Sequence, residues 1–178
     1  MNLRHILIAA LLIISTPAFA AEVIVDYTYT GNHRTDFSNL RASLKVADVT
    51  DDRGGELNLI AEGYSADKPL TDIIRNALIQ GFEHGGAELA TEDSEMQVVG
   101  RILSSQLRTV DRSGVESLQL TIRTNVALRG RGRTIWETTL FARGTVPMDE
   151  GIVPALNAAM DRMIRELVSD DYFLIEIQ

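Results

Sequence analysis

The chain has 178 residues, of which 45% are apolar and 24% charged, with a formal charge of −8. That composition buries a core, which excludes a disordered or collagen-like chain, and the lack of cysteine excludes disulfides, thiolate catalysis and cysteine-based zinc or iron–sulfur sites. The acidic balance repels nucleic acid and anionic membrane alike, so neither is an expected general partner.

Residues 1–20 open with Met1-Asn-Leu-Arg4-His5, run without charge from Ile6 to Ile14 and end in Ala18-Phe19-Ala20. A short apolar run between a basic start and a small-x-small end is the pattern of a cleaved signal peptide. The run is too short for a membrane span, which needs about 20 apolar residues. The expectation is a leader over 1–20, cleaved after Ala20, and one domain over 21–178 that is exported, soluble and, in a Gram-negative cell, periplasmic. Losing Arg4 leaves −9 on the remaining 158 residues, and no cysteine follows the leader to carry a lipid.

The mature chain begins with a period of two over Glu22 to Thr30, where Val23, Val25, Tyr27 and Tyr29 alternate with other residues, predicting a strand. A polar loop over Gly31 to Asn39 leads to a second alternation at Leu40, Ala42, Leu44 and Val46. That strand ends at Asp51-Asp52-Arg53-Gly54-Gly55, a turn with two glycines suited to positive φ. Leu57, Leu59 and Ala61 suggest a short third strand, paired with the second as a hairpin. A helix over about 68 to 84 follows, with Asp67 as its cap, Pro69 in its first turn and Gly85-Gly86 beyond its end. Leu70, Ile73, Ile74, Ala77, Leu78 and Phe82 share one face of it, and Asp72, Arg75 and Glu83 lie elsewhere.

Three further strands are predicted: Met96 to Arg108 around Val99, Leu103 and Leu107; Val115 to Arg129 around Leu118, Leu120, Ile122, Val126 and Leu128; and Thr134 to Val146 around Trp136, Leu140 and Val146. Turns at Asp111 to Gly114 and at Gly130-Arg131-Gly132 make them an antiparallel meander. A second helix over about Asp149 to Ser169 carries the stripe Ile152, Leu156, Ala159, Met160, Met163, Ile164 and Leu167. Tyr172 to Ile177 closes the chain as a strand or a docked tail. The order ββ(β)-α-βββ-α predicts an α+β domain, an antiparallel sheet of about five or six strands with two amphipathic helices on one face. Gln119, Thr121, Arg123 and Asn125 then point outward.

Chemistry is thinly signalled. His33 sits in a polar loop and His84 at a helix end, with nothing in the sequence to join them as metal ligands. The run Asp48 to Glu56 lacks the ligand spacing of a calcium loop and reads as a solvated turn. Ser104 and Ser105 lie in a strand rather than a nucleophile elbow, and Gly130-Arg-Gly132 opens no helix to cradle a phosphate. No cofactor, metal or catalytic residue is therefore expected. One cluster departs from the acidic background: Arg129, Arg131 and Arg133 at a hairpin tip, with Arg123 and Arg143 on the adjoining strands. Arginine forks of this kind bind phosphate or carboxylate bidentately, although a charged tip also serves solubility alone.

Several segments together resemble the YajG-like family of bacterial envelope lipoproteins: Val23-Ile-Val-Asp-Tyr27, Ala42-Ser-Leu-Lys-Val-Ala-Asp-Val49 with Asp51 to Gly54, Leu70 to Leu78 with Gly85-Gly86, Met96-Gln-Val-Val-Gly-Arg-Ile102 and the helix Ile152 to Val168. The resemblance implies a small α+β periplasmic module similar to auxiliary subunits of envelope transport systems, here without the lipidated cysteine. It points to a non-enzymatic accessory protein that binds another envelope protein or a lipid-bearing assembly. A small-ligand module with a pocket between helices and sheet, or a hydrolase with scattered residues, are the alternatives. The intact mass of the exported protein should fit residues 21–178, and a retained leader or an acyl chain would refute the leader reading.

Overall fold

The computed structural model describes residues 20–178; the leader predicted over 1–20 falls almost wholly outside them. The elements are β1 (Ala21–Val23), β2 (Leu44–Val46), β3 (Thr50–Asp51), β4 (Leu59–Ala61), β5 (Tyr64–Ala66), α1 (Leu70–His84), β6 (Met96–Arg112), β7 (Val115–Gly130), β8 (Arg133–Pro147), a single 3₁₀ turn at Met148–Glu150, α2 (Ile152–Val168) and α3 (Asp171–Ile177). The α+β class and the long antiparallel β6-β7-β8 meander are as expected.

Both hairpin turns have two central residues at positive φ, Ser113 and Gly114 in one, Arg131 and Gly132 in the other. That backbone matches the right-handed twist of the flanking strands. Along β7, Leu118, Leu120, Ile122, Thr124, Val126 and Leu128 are buried and face the helices, while Arg123 and Arg129 on the opposite face are exposed. In β8 the partners of the buried set are Trp136, Thr138, Leu140, Ala142, Gly144 and Val146.

Strand β6 departs from its predicted register. Ile102 pairs with Thr124 but Ser104 pairs with Arg123, so Leu103 is an extra residue in a β-bulge. Val98, Gly100 and Ile102 face inward before the bulge, and Ser105 and Leu107 face inward after it. The alternation Val99, Leu103, Leu107 spans the bulge and so mixes the two faces, because one inserted residue exchanges them.

Helix α2 packs across β7 and β8, and α1 against α2 and β2. The α2–β8 approach is set by Gly144: a Cβ there would overlap the Ala155 carbonyl and lie 2.8 Å from the Ala159 amide. At the helix–helix contact, a Cβ on Gly81 of α1 would lie 2.6 Å from Ile164 of α2. The space between helices and sheet is filled by Leu78, Leu120, Ile122, Leu128, Leu156 and Met160, each at most 1% exposed. Helix α1 ends as predicted: Gly86 at φ 86° allows the Ala87 amide to reach the Phe82 carbonyl at 3.1 Å and the Gly86 amide that of Glu83 at 2.9 Å.

The first half of the chain differs more. Only Ala21–Val23 of the first predicted strand joins a sheet, parallel to β5. From Ile24 to Leu40 the chain is a strap whose backbone is satisfied mostly by side chains. Val25 donates to Asp67 Oδ1 at 2.9 Å, Tyr29 donates to Gln80 Oε1 at 2.7 Å, and Gln80 Nε2 donates to the Tyr27 carbonyl at 3.0 Å. Alternation marks an extended segment with one buried side, and helix side chains serve it as well as a neighbouring strand does. Asp67 is thereby engaged by the strap; α1 starts after Pro69 without a side-chain cap.

The second and third predicted strands do not form a hairpin. β2 and β3 pair parallel to β6, and β4 pairs with β5 in a separate three-stranded sheet. Asp51 and Arg53 separate them: Arg53 Nη2 and Nε lie 2.6 and 2.9 Å from the Asp51 carboxylate while Nη1 donates to the Leu59 carbonyl at 2.7 Å. Their side chains are only 6% and 11% exposed, so this part of the acidic run is a clamp between the two sheets rather than a solvated turn. The Arg53 hydrogen bonds hold the Asp51 carboxyl below its ordinary pKa. The tail is a helix rather than a strand, capped by Asp170, which accepts from the Phe173 amide at 2.8 Å, and docked by the buried Phe173 and Ile177.

Two stability predictions follow from this packing. Gly144→Ala should cost about 3 kcal/mol, at the upper end for overpacking because both obstructing atoms are backbone, and Leu156→Ala about 2–5 kcal/mol, read by urea denaturation; a Gly144→Ala chain of unchanged stability would refute the close approach. A group with a depressed folded pKa stabilises fully above its unfolded value and loses that contribution as pH falls. Unfolding below about pH 4, the ordinary Asp range, should therefore be less steep in Asp51→Asn than in the parent chain.

Candidate functional site

The five singled-out arginines divide into two groups. Arg129, Arg131 and Arg133 surround the β7–β8 turn and are all exposed. With Ser94, Glu95, Gln97 and Thr134 they line a cleft of about 390 Å³, so its wall holds three guanidinium groups and one carboxylate. Arg131 takes φ 51°, a conformation that costs an L residue with a long side chain about 1–2 kcal/mol and that Asn, Asp or Gly fills more readily. Bulge-like slippage beside the turn, where Leu128 pairs with Trp136 but Arg129 with Thr134, leaves Ile135 against Gly130, whose Cβ would lie 2.6 Å from its side chain. Three cations are thus carried on a tightly wound end.

Arg123 and Arg143 are elsewhere. They point from the outward face of β7 and β8, with Arg123 opposite Phe141 and Arg143 opposite Thr121. The Arg123 guanidinium carbon stands 5.3 Å from the Phe141 ring centre, a cation–π distance. Six positions separate Arg123 from Arg129 on one strand, about 20 Å at 3.4 Å per residue.

A second polar cluster lies where the strap crosses the helices. Asp161 of α2 accepts from Tyr27 Oη at 2.7 Å and from Thr30 Oγ1 at 2.6 Å. Burial, then the bond to Asp161, pushes the Tyr27 phenol far above its ordinary range, and burial raises Tyr29 as well. The structure joins the two histidines that the sequence left apart: the rings of His33 and His84 are 5.1 Å apart, and Tyr29 stands 5.1 Å from His84. His33 Nε2 lies 3.0 Å from the Gly81 carbonyl, which can only accept, so this nitrogen carries a proton. No group of three or more His, Asp or Glu side chains with metal-holding geometry occurs among the described residues. Loop residues Tyr29 to His33 and Asp161 and Arg165 border a cleft of about 410 Å³. The alternation of residues 22–30 marked the strap in sequence, but its partners Gln80 and Asp161 are on helices and carry no local signal.

Ser104 faces outward beside Arg123, and Ser105 inward beside Ile122. No described helix is long and apolar enough to cross a membrane.

The structure is similar to that of protein XCC0632 from Xanthomonas campestris, a DUF330 protein, with a TM-score of 0.61 at 17% identity over 83% of this chain and 92% of that one. At that identity the likeness is one of fold. A minor lipoprotein from Acinetobacter baumannii overlaps 75% of this chain and 96% of its own at 14% identity and a TM-score of 0.42. No curated protein matches in sequence. The family model described as LptE, lipopolysaccharide-assembly, matches residues 57–170, from just before β4 to the start of α3. That span is more than half of the chain and takes in the meander, both long helices and the arginine turn, and the chain therefore belongs to the LptE lipopolysaccharide-assembly family.

Proposed function

We propose that the chain is a non-enzymatic accessory protein of the bacterial envelope that works in the periplasm on lipopolysaccharide assembly, and that the Arg129-Arg131-Arg133 turn is its contact with an anionic group of that assembly. Family membership supports the pathway, and the leader pattern supports the compartment. The YajG-like resemblance supports the reading only as far as a bacterial envelope family. Arg131 carries the site assignment. A long cationic side chain occupies a left-handed turn position that Asn or Gly would fill at lower cost, and backbone strain retained in a folded protein clusters at functional positions. The tip also concentrates three positive charges on a chain of net −8, so a phosphate or carboxylate is drawn to it by charge and held by bidentate forks.

Replacing Arg129, Arg131 and Arg133 by serine should leave the melting temperature nearly unchanged, because exposed turn charges contribute little to folding. Binding to lipopolysaccharide micelles should fall, and binding by the unaltered chain should weaken between 0.1 M and 1 M salt, where the Debye length shrinks from about 10 Å to about 3 Å. Arg131→Asn should separate the two effects, raising stability by up to about 1 kcal/mol while weakening the micelle interaction. Micelle binding that survives the triple-serine replacement would overturn the assignment.

A further inference from the structure

The outward face of the meander is a second cationic surface, built differently from the turn. Four successive cross-strand rows run across β6, β7 and β8: Arg101-Asn125-Thr139, Ser104-Arg123-Phe141, Gln106-Thr121-Arg143 and Arg108-Gln119-Thr145. They contain four arginines and no carboxylate, the nearest on this face being Glu137 of the next row, which accepts from Asn125 at 2.9 Å. Every other side chain except Phe141 is an uncharged hydrogen-bonding one. Arg101 pairs with Asp52 at 3.4 Å, whereas Arg108, Arg123 and Arg143 have no carboxylate within 4.0 Å among the described residues. No two arginines stand directly opposite one another, where like charges repel most; Arg123 and Arg143 are diagonal neighbours about 7–8 Å apart in the backbone. The helices that pack on β7 and β8 occupy the other side of the sheet, and Arg123, Arg143, Arg108 and Phe141 are exposed.

The β6 bulge is what completes this face. Without the extra residue at Leu103, the inward parity of Val98, Gly100 and Ile102 would continue to Gln106 and Arg108 and turn Leu107 outward. With it, Leu107 is directed to the core side and Arg108 joins Arg143 and Arg123.

The chemistry of the face discriminates among anionic partners. A stable protein interface has an apolar centre with aromatic and aliphatic anchors ringed by polar groups, and here Phe141, 47% exposed, is the one apolar side chain in four rows. Amides and hydroxyls repeated about 7 Å along each strand and about 5 Å across suit a ligand that is itself a row of hydroxyls with spaced anions. Phe141, with Arg123 over one face of its ring, leaves the other face for the C–H side of a pyranose, the negative face of an aromatic ring being attracted to such edges. We propose that this open sheet face binds a linear polyanionic glycan, its acid groups held by Arg108, Arg123 and Arg143 and its hydroxyls by Gln106, Gln119 and Thr121. The surface is separate from the arginine turn and does not depend on its role.

Polygalacturonate oligomers serve as the probe, with neutral dextran and polyglutamate as comparisons, in titrations of the full mature chain. Polygalacturonate should bind and weaken with salt, and dextran should bind far less. The double variant R123S/R143S should lose about tenfold or more in affinity, the scale of one or two charge-assisted hydrogen bonds, with an unchanged melting temperature. R123K/R143K should recover only part of the loss, because an ammonium lacks the planar fork. Replacing the three turn arginines by serine should leave polygalacturonate binding intact, so a failed turn assignment and a failed face assignment give different patterns. Unchanged affinity in R123S/R143S, or no binding by the unaltered chain, overturns the proposal; polyglutamate binding as tight as polygalacturonate overturns the choice of a glycan in favour of an acidic protein.

Discussion

Helix α2 lies so near strand β8 at Gly144 that backbone meets backbone, and the separation of the two layers follows from that contact. A small residue at this crossing fixes how deep Leu156, Met160 and Met163 sink between helix and sheet, and each is fully buried there. Gly81 does the same on the other side, admitting Ile164 of α2 against α1. Once the layers are this close, the centre of the meander's inward face, from Leu118 to Leu128 of β7, is consumed by packing. The arginines of the meander are left to the outward face and the turns.

The distribution of charge follows the same division. The chain is acidic as a whole, yet its longest strands send guanidinium groups outward and the β7–β8 turn is surrounded by three more. Carboxylates act inside the structure as fasteners: Asp51 holds Arg53 between two sheets, Asp67 receives the strap amide of Val25, and Asp161 receives two hydroxyls. Each is matched to donors, which is what permits a carboxylate to sit near a core without a large desolvation cost.

Legibility in the sequence tracks how local the stabilising contacts are. Helices α1 and α2 and the β6-β7-β8 meander are recorded in their own periodicity and turns, and they emerged within a few residues of their predicted bounds. Thr124 illustrates how tertiary context overrides type: a polar residue among Ile122, Val126 and Leu128, it is nonetheless fully buried. The parallel pairing of β2 and β3 with β6 was not legible, because it is decided by a clamp between Asp51 and Arg53 and by an edge of β6 fifty residues away. The Glu62-Gly63 turn between β4 and β5, with Gly63 at φ 83°, was a readable two-residue hairpin signal that the pattern of larger apolar residues overshadowed. For the candidate sites, residue type was enough to single out the arginines but not to sort them. Strand register separates Arg123 and Arg143 from the turn, and the bulge at Leu103 adds Arg108 to their face.

The strap bears on how the chain reaches its folded state. Tyr27 and Thr30 are held by Asp161, more than 130 positions later, and the Thr35 hydroxyl donates to the carbonyl of Val168 at 2.9 Å. In a chain that emerges from its N-terminus, the strap can bond Asp67 and Gln80 once α1 has appeared, but the hydroxyls of Tyr27, Thr30 and Thr35 wait for α2, and contacts so distant along the sequence are slow to close. The first segment to arrive is then fastened in two stages, to β5 and α1 early and to α2 late. A polypeptide wired in this order keeps one end half-fastened until its last long helix is in place, and closes on itself in a final step.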